Sequence, residues 1–464
     1  MSRVKEQIPT ELGTEKISKL LKQYALPAIV AMVASSLYNM VDSIFIGHGV
    51  GSLAISGLAV TFPFMNLSTA FGTLVGAGAA TLLSILLGKQ HYKAASKVLG
   101  NVVSLNIIIG LTFMVISLIF LDPILRFFGA SDNTLPYARE YMKIILYGNV
   151  ITHIYFGLNN MMRASGDPKK AMGLTIFTVI FNTILDPIFI FVFKMGIAGA
   201  AWATVLAQLV AMIIVMAHFS HEKHPIHFKK GILRLDWKVA KQSLAIGFGP
   251  FLMNAASCIV ALFINQQLLQ YGGDLAIGGY GICNRITFMF VMICMGLNQG
   301  MQPIAGYNFG AKQYSRVREV HKQTAFLATA VVLVCWIISV FFPRAAAGIF
   351  THDAEMIEIA SKGLTKMNMV VLIIGYQIVS TNLFQSIGMV KQSIFLSLSR
   401  QLLFLVPCVY LLPLWFGIDG VWWSFPISDL LASVTTIIMM DRLMKKFVKL
   451  QDGESAEGII ESEA

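Results

Sequence analysis

Residues 181–191 read FNTILDPIFIF, a stretch almost wholly apolar apart from Asn182 and Asp186. The two stand four residues apart, so on a helix they share one face. Pro187 follows directly and cannot donate a backbone hydrogen bond, which frees the carbonyl of Thr183 from its usual partner. A carboxylate, an amide oxygen and a carbonyl then lie within about one turn. These are hard oxygen donors, suited to Na⁺ or a proton relay rather than to a soft metal. A second patch of the same kind, Tyr38, Asn39 and Asp42, lies in another apolar run, and Pro27 upstream permits a bend there. If Asp42 and Asp186 face one cavity, burial and like charge both disfavour ionising the pair. One bound cation would relieve the repulsion, and an organic cation could compete for the same charge. That competition is the physical basis of an antiport. The alternative is that these side chains only tie helices together.

The setting of these groups gives them their meaning. The chain has 464 residues, 56% hydrophobic and 13% charged, with mean hydropathy +0.71. Soluble chains are nearer a quarter charged. Apolar runs long enough to cross a bilayer core of about 30 Å recur throughout, and the short alternating segments of a β-barrel are missing. The reading is an all-α integral membrane protein with twelve transmembrane helices. They are expected near 17–46, 53–87, 94–120, 136–165, 170–193, 199–220, 239–270, 275–309, 316–343, 355–387, 393–416 and 420–448. An Asp at the centre of such a span costs about 2.5–3.5 kcal/mol to insert, so it faces a bundle interior or a water-filled cavity.

Most of the 35 Lys and Arg residues fall at alternate connections and at the two ends, among them Lys89, Lys93, Arg163, Lys169, Lys229, Arg316, Lys391 and Lys445. The positive-inside rule then places both termini in the cytoplasm of a multi-pass protein of the cell inner membrane. The net charge of +11 is on this reading a topology signal and not a nucleic-acid surface. No cleavable signal peptide is visible.

The two halves repeat. At the offset that overlays Gly51 on Gly273, Gly78 meets Gly300, Tyr92 meets Tyr314, Asn160 meets Asn382, Gly166 meets Gly388 and Lys169 meets Lys391. One residue then slips, and Gly196-Ile197 meets Gly417-Ile418. Six spans per half is an even number, so the repeats are parallel, as in some transporters. The expected organisation is a cytoplasmic N-terminal segment 1–16, an N-lobe 17–220, a cytoplasmic linker 221–238, a C-lobe 239–448 and an acidic disordered tail 449–464. In the repeat register Asp42 maps to Ile264, Asn182 to Phe404 and Asp186 to Cys408. The acidic patch therefore belongs to the first half alone.

The second half offers different candidates. Asp429 is its one deep acid, with Arg285 and Arg400 inside apolar runs as possible ion-pair partners or gating groups. Gln299, Gln302 and Tyr376 are candidate cavity-facing polar groups. The 24 Met and 32 Phe residues suit a pocket that repacks around varied lipophilic cations, or an ordinary lipid face. His218, His221, His224 and His227 read as a solvated loop, with no metal expected beyond Na⁺, and the five cysteines as small buried hydrophobes. No Walker A motif appears, so ATP drive and any organic cofactor are not expected.

Four segments together resemble the multidrug and toxic compound extrusion family: LYNMVDSIFIGHGVG in span 1, RASGDPK after span 4, NTILDP in span 5 and GIAGAAWAT into span 6. The resemblance covers about residues 15–448. It implies two six-helix lobes in a V, a central cavity, and rocking between inward-open and outward-open states. It also implies export of organic cations and other amphipathic drugs, driven by inward Na⁺ or H⁺. By resemblance the cation site falls on Asp42, Asn182, Asp186 and Thr204, with Tyr141 and Asn159 lining the same region; Pro27 and Pro187 are read as hinges from their own chemistry. Another branch of the family keeps a carboxylate pair on spans 7 and 10, which this sequence lacks. The expectation is thus a cation-coupled antiporter of small amphipathic or cationic molecules, monomeric in the lipid bilayer and not an enzyme. The alternatives are a lipid-linked saccharide flippase of the same superfamily, or an integral-membrane enzyme, for which no convergent His/Asp/Glu or Ser/His set is found.

Overall fold

A computed structural model of the chain describes residues 11–49, 52–128, 130, 132–221, 226–228, 231, 234–350, 354–450 and 452–454. Within its helices, the side chains of residues 37–44, 47–49, 52–53, 55–56, 59 and 274–275 lie outside the description. The described residues form helices and turns with no strand among them. In hydrocarbon each backbone N–H and C=O must be satisfied within its own segment, which a helix alone achieves without closing a barrel.

The first half contributes α1 (Ile17–Gly49), α2 (Ser52–Gly88), α3 (Tyr92–Ile119), α4 (Leu135–Ala164), α5 (Pro168–Pro187) and α6 (Ile197–Ser220). The second contributes α7 (Trp237–Gly273) and α8 (Ala276–Gly310), parted at Gly273. Then come α9 (Tyr314–Phe341), α10 (Ala354–Met367 and Val371–Ser386, bent by 57°), α11 (Val390–Phe416) and α12 (Ile418–Lys449). With α5 carried on to Val192 by the turn that follows it, these ends fall within a turn of those read from hydropathy. Among the described residues ten helices are long and apolar enough to cross a membrane, and the bent pair makes an eleventh. The twelfth expected span, α4, stands outside that count because Asn149, His153, Asn159 and Asn160, with the charges at its two ends, lower its hydropathy. At about 1.5 Å per residue its 30 residues still exceed the bilayer core.

The repeat is visible in the backbone. Gln90 and Lys312, equivalent in the repeat, close their turns at φ 59° and 60°. Gly196 and Gly417, which open α6 and α12, have φ 60° and 56° with ψ near −140° and −138°. That conformation is barred to side chains with a Cβ, so a glycine recurs there in both halves.

The chain divides into two compact units, and the division is not the one expected from the linker. One unit holds residues up to Thr14 and Val30–Phe251; the other holds Glu15–Ile29 and Leu252 onward. Each repeat's first helix therefore begins in one unit and continues in the other, changing over just past Pro27 in α1 and Pro250 in α7.

In the first unit the start of α7 packs on α2 so closely that a Cβ added at Gly247 would lie 1.8 Å from the Leu74 carbonyl oxygen. One added at Gly78 would lie 2.0 Å from that of Ser243. Asp236 moors this start to α3: Lys97 Nζ is 2.8 Å away, and Asn101 exchanges two 3.0 Å hydrogen bonds with its backbone. In the second unit the start of α1 packs on α8 in the same way, with Gly300 against Ala25 and Gly296 against Ile29. Arg316 of α9 donates to the Glu15 carbonyl at 2.6 Å. Small residues at helix contacts let backbones approach, and packing of this kind drives association in lipid.

The tail expected to be disordered from residue 449 is in part bonded. Lys449 still belongs to α12. Asp452 accepts from the Ser315 amide at 3.1 Å, and Glu454 accepts from the Tyr314 hydroxyl at 2.9 Å. The exposed amides of the α9 N-terminus draw a carboxylate to them.

Candidate cation site

The polar groups of α5 fall on one face. Thr175, Thr178, Asn182 and Asp186 follow one another at steps of three or four. The helix packs against α4 and α6, which meet that face. Asp186 is 0% exposed, Asn182 2% and Thr204 of α6 8%.

The Asn182 amide bridges the other two. With its NH₂ turned to the carboxylate it donates to Asp186 Oδ2 at 2.9 Å, and its oxygen accepts from the Thr204 hydroxyl at 3.2 Å. The same oxygen accepts from the Thr204 amide at 2.9 Å, so one orientation of Asn182 satisfies the groups on both sides of it.

α5 does not end at Pro187. It runs on as a π-helical turn over Ile188–Val192, in which the Phe193 amide bonds the Ile188 carbonyl at 2.9 Å. Such turns adapt a helix to a lost or displaced hydrogen bond and gather at functional positions. Pro187 is half-buried beside this turn, and Pro27 is buried within α1.

Asn182, Asp186 and Thr204 are thus brought together. The backbone of Tyr38, Asn39 and Asp42 belongs to α1, but their side chains lie outside the described residues. Tyr141 and Asn159 do not share a location: they are five turns apart on α4, about 27 Å. Tyr141 sits in an apolar cluster with Ile190, Ala200 and Ala201. Asn159 donates to Thr175 Oγ1 at 3.0 Å, three turns of α5 from Asp186.

In the second unit Asp429 takes Arg400 as its partner, with Arg400 Nε 2.6 Å from Asp429 Oδ1. Arg285, read as deep, is exposed on α8. Apolar neighbours along the chain made it look buried, but it stands on an exposed face of the helix. Gln299 and Gln302 are half-buried on α8. Tyr376 stands edge-on to His321, with ring centroids 5.5 Å apart, and His321 Nε2 is 2.9 Å from Ser380 Oγ.

Sequence reading passed over Thr175, Thr178 and Tyr155, which continue the polar face of α5 toward α4; Thr178 Oγ1 bonds Tyr155 Oη at 3.3 Å. Their spacing from Asn182 was the available signal. It also passed over a buried brace in which Ser68 donates to Asn149 at 2.6 Å and His153 Nε2 lies 3.0 Å from the Ser68 carbonyl. His218, placed in the loop, closes α6 and lies 3.4 Å from Asp167.

The MatE family profile matches residues 27–188 and 245–411. The chain is 27% identical over 442 residues to the multidrug export protein MepA of Staphylococcus aureus (strain MSSA476), covering 95% of this chain and 97% of that one. It is similar to the solved structure of the MATE multidrug transporter DinF-BH, at 36% identity and TM-score 0.87, covering 94% and 98% of the two chains. A MOP superfamily transporter from Pyrococcus furiosus, at 21% identity over 95% and 99%, shares the fold with TM-score 0.89. With a profile match that spans most of both repeats, the chain belongs to the MatE family, the transporters its sequence resembles.

Proposed function

We propose that this chain exports amphipathic, chiefly cationic small molecules across the cell inner membrane by alternating access, with both termini cytoplasmic and an inward monovalent cation as the driver. The observation that carries the reading is the buried group made by Asn182 and Asp186 on one face of α5 with Thr204 of α6. A carboxylate held away from water is costly when charged, and a bound cation offsets that cost. Asn182 links Asp186 to Thr204, so a change of occupancy at the carboxylate is felt on α6. A proton is served by these three groups alone. A sodium ion would draw on the same oxygens together with Asp42. The relatives' activities support the export reading, since both MepA and DinF-BH are named for multidrug transport.

The test is dye efflux from vesicles under Na⁺ and pH gradients imposed separately. Efflux of a cationic rhodamine dye driven by one gradient in the wild type, and by neither in Asp186→Asn with normal insertion and melting, is the expected result. Efflux at wild-type rates from Asp186→Asn would overturn the site.

A further inference from the structure

Where α10 gives way to α11, two connected hollows open on the surface of the second unit. The first, about 390 Å³, has Lys391, Gln392 and Arg442 at its polar side and Phe384, Met439 and Leu443 at its apolar side. The second, about 540 Å³, shares Lys391 and Phe395 with the first and runs on past Ile394, Leu398, Leu402 and Leu403. Its far end lies on the π-helical turn Ser399–Leu405, which brings Leu402 and Leu403 side by side onto the exposed face. From Lys391 to Leu403 the groove is about 18 Å long, close to one leaflet of a bilayer core of about 30 Å.

The charges at its mouth are uncompensated. Lys391 and Arg442 are both exposed and form no ion pair among the described residues. Asp441, the neighbouring acid on α12, is taken by Lys445 at 2.6 Å. The repeat sharpens the point. The first-half counterpart of this corner is Asp167-Pro168-Lys169-Lys170, where Asp167 pairs with Lys170 at 3.3 Å and with His218 at 3.4 Å. In the second half the residue in place of Asp167 is Met389. Lys169 is kept there as Lys391, while Asp167 and the Lys170 it pairs with give way to Met389 and Gln392.

We propose that this corner is a binding site for an anionic phospholipid of the leaflet facing the basic loops. Its phosphate sits between Lys391 and Arg442, with Gln392 as a further donor. One acyl chain lies in the groove along Ile394, Leu398 and Leu402. Basic pockets between membrane helices hold acidic headgroups in this way, each cation being worth about fivefold in affinity near the surface. An apolar channel that starts at the cations and ends at leaflet depth fits a lipid and not a free anion.

The experiment compares phosphatidylglycerol with phosphatidylcholine of the same chains, each offered to purified protein in detergent. Lipid retained after re-purification is measured by mass spectrometry, for the wild type, Lys391→Gln/Arg442→Gln and the first-half control Lys169→Gln. The expected result is selective retention of phosphatidylglycerol by the wild type and by Lys169→Gln. In the double variant retention should fall by roughly 25-fold, with phosphatidylcholine unchanged. Leu402→Asn should weaken retention of both lipids. Equal retention of phosphatidylglycerol by the double variant would overturn the proposal. So would competition by inorganic phosphate at equal concentration, which would reveal a bare anion site. Lys391→Arg/Arg442→Lys, which keeps both charges, should retain phosphatidylglycerol, and its failure to do so would count against a headgroup held by charge.

Discussion

Arg400 Nε lies 2.6 Å from Asp429 Oδ1, so the deep acid of the second unit is neutralised from within its own unit. Asp186 meets a different neighbourhood: the amide of Asn182 and, through it, the hydroxyl of Thr204. A guanidinium brings a full positive charge to a carboxylate, whereas an amide offers only a neutral N–H donor. The two buried acids therefore meet partners of different kinds, one charged and one neutral.

Removing either partner of the Arg400–Asp429 pair strands the other. Asp429 is buried, but the Arg400 side chain is 36% exposed and can reach water. Asp429→Asn is expected to cost about 1–2 kcal/mol, below the roughly 3–5 kcal/mol of a fully enclosed pair. Arg400→Gln combined with Asp429→Asn should regain part of that loss. Thermal melting of the two single variants and the double variant in detergent measures the coupling, and simple additivity would argue against the pair as a brace.

The bridging role of Asn182 sets a second expectation. Asn182→Leu removes both hydrogen bonds and leaves Asp186 without its amide, so drug efflux should fall at least tenfold. Thr204→Ser keeps the hydroxyl and should retain most of the activity, while Thr204→Val should lose more. Efflux assays on proteins matched for expression decide this. Equal activity of the Ser and Val variants would mean that the hydroxyl is not used.

Close backbone contact at the start of α7 gives a third. Gly247→Val must push α7 off α2, since even a Cβ there would overlap the Leu74 carbonyl. A loss of at least about 1–3 kcal/mol, or failure to fold, is expected. Gly173→Ala on α5 has nothing within 4 Å of its new methyl group. It should be neutral or stabilise by about 0.5–1 kcal/mol through helix propensity. Melting midpoints of the two variants provide the comparison.

The mooring of α7 is pH-dependent. The hydrogen bond from Lys97 foremost, then the Val239 amide, holds the Asp236 carboxyl below its ordinary value of 3.8 against the opposing effect of burial. A carboxylate depressed in the folded state stabilises the fold above its unfolded value, and that contribution is lost as pH falls through the folded one. The melting gap between wild type and Asp236→Asn should thus hold at pH well above the ordinary value of 3.8 and close as pH falls below it, through the depressed folded value. A gap that does not change with pH would assign the effect to the hydrogen-bond geometry alone.

Much of this molecule was legible in its residues. Span ends fell within a turn of the helices because apolar runs, Gly166, Gly196 and Gly388 punctuate the chain locally. The Asn182–Asp186 pairing followed from spacing on one helix, which needs no knowledge of what lies opposite. The identity of the partners did not. Whether Asp429 meets Arg285 or Arg400, and whether Asn159 reaches Asp186 or Thr175, depends on which helix faces which and at what height. Nor does the one-dimensional repeat reveal that the first turns of α1 and α7 change units, because contacts between Gly300 and Ala25, or Gly247 and Leu74, join segments far apart in the chain. Sequence determines what a segment can bury and where it bends; only the packed structure decides which charge finds which counterpart, since that choice is made by neighbours brought together across hundreds of residues.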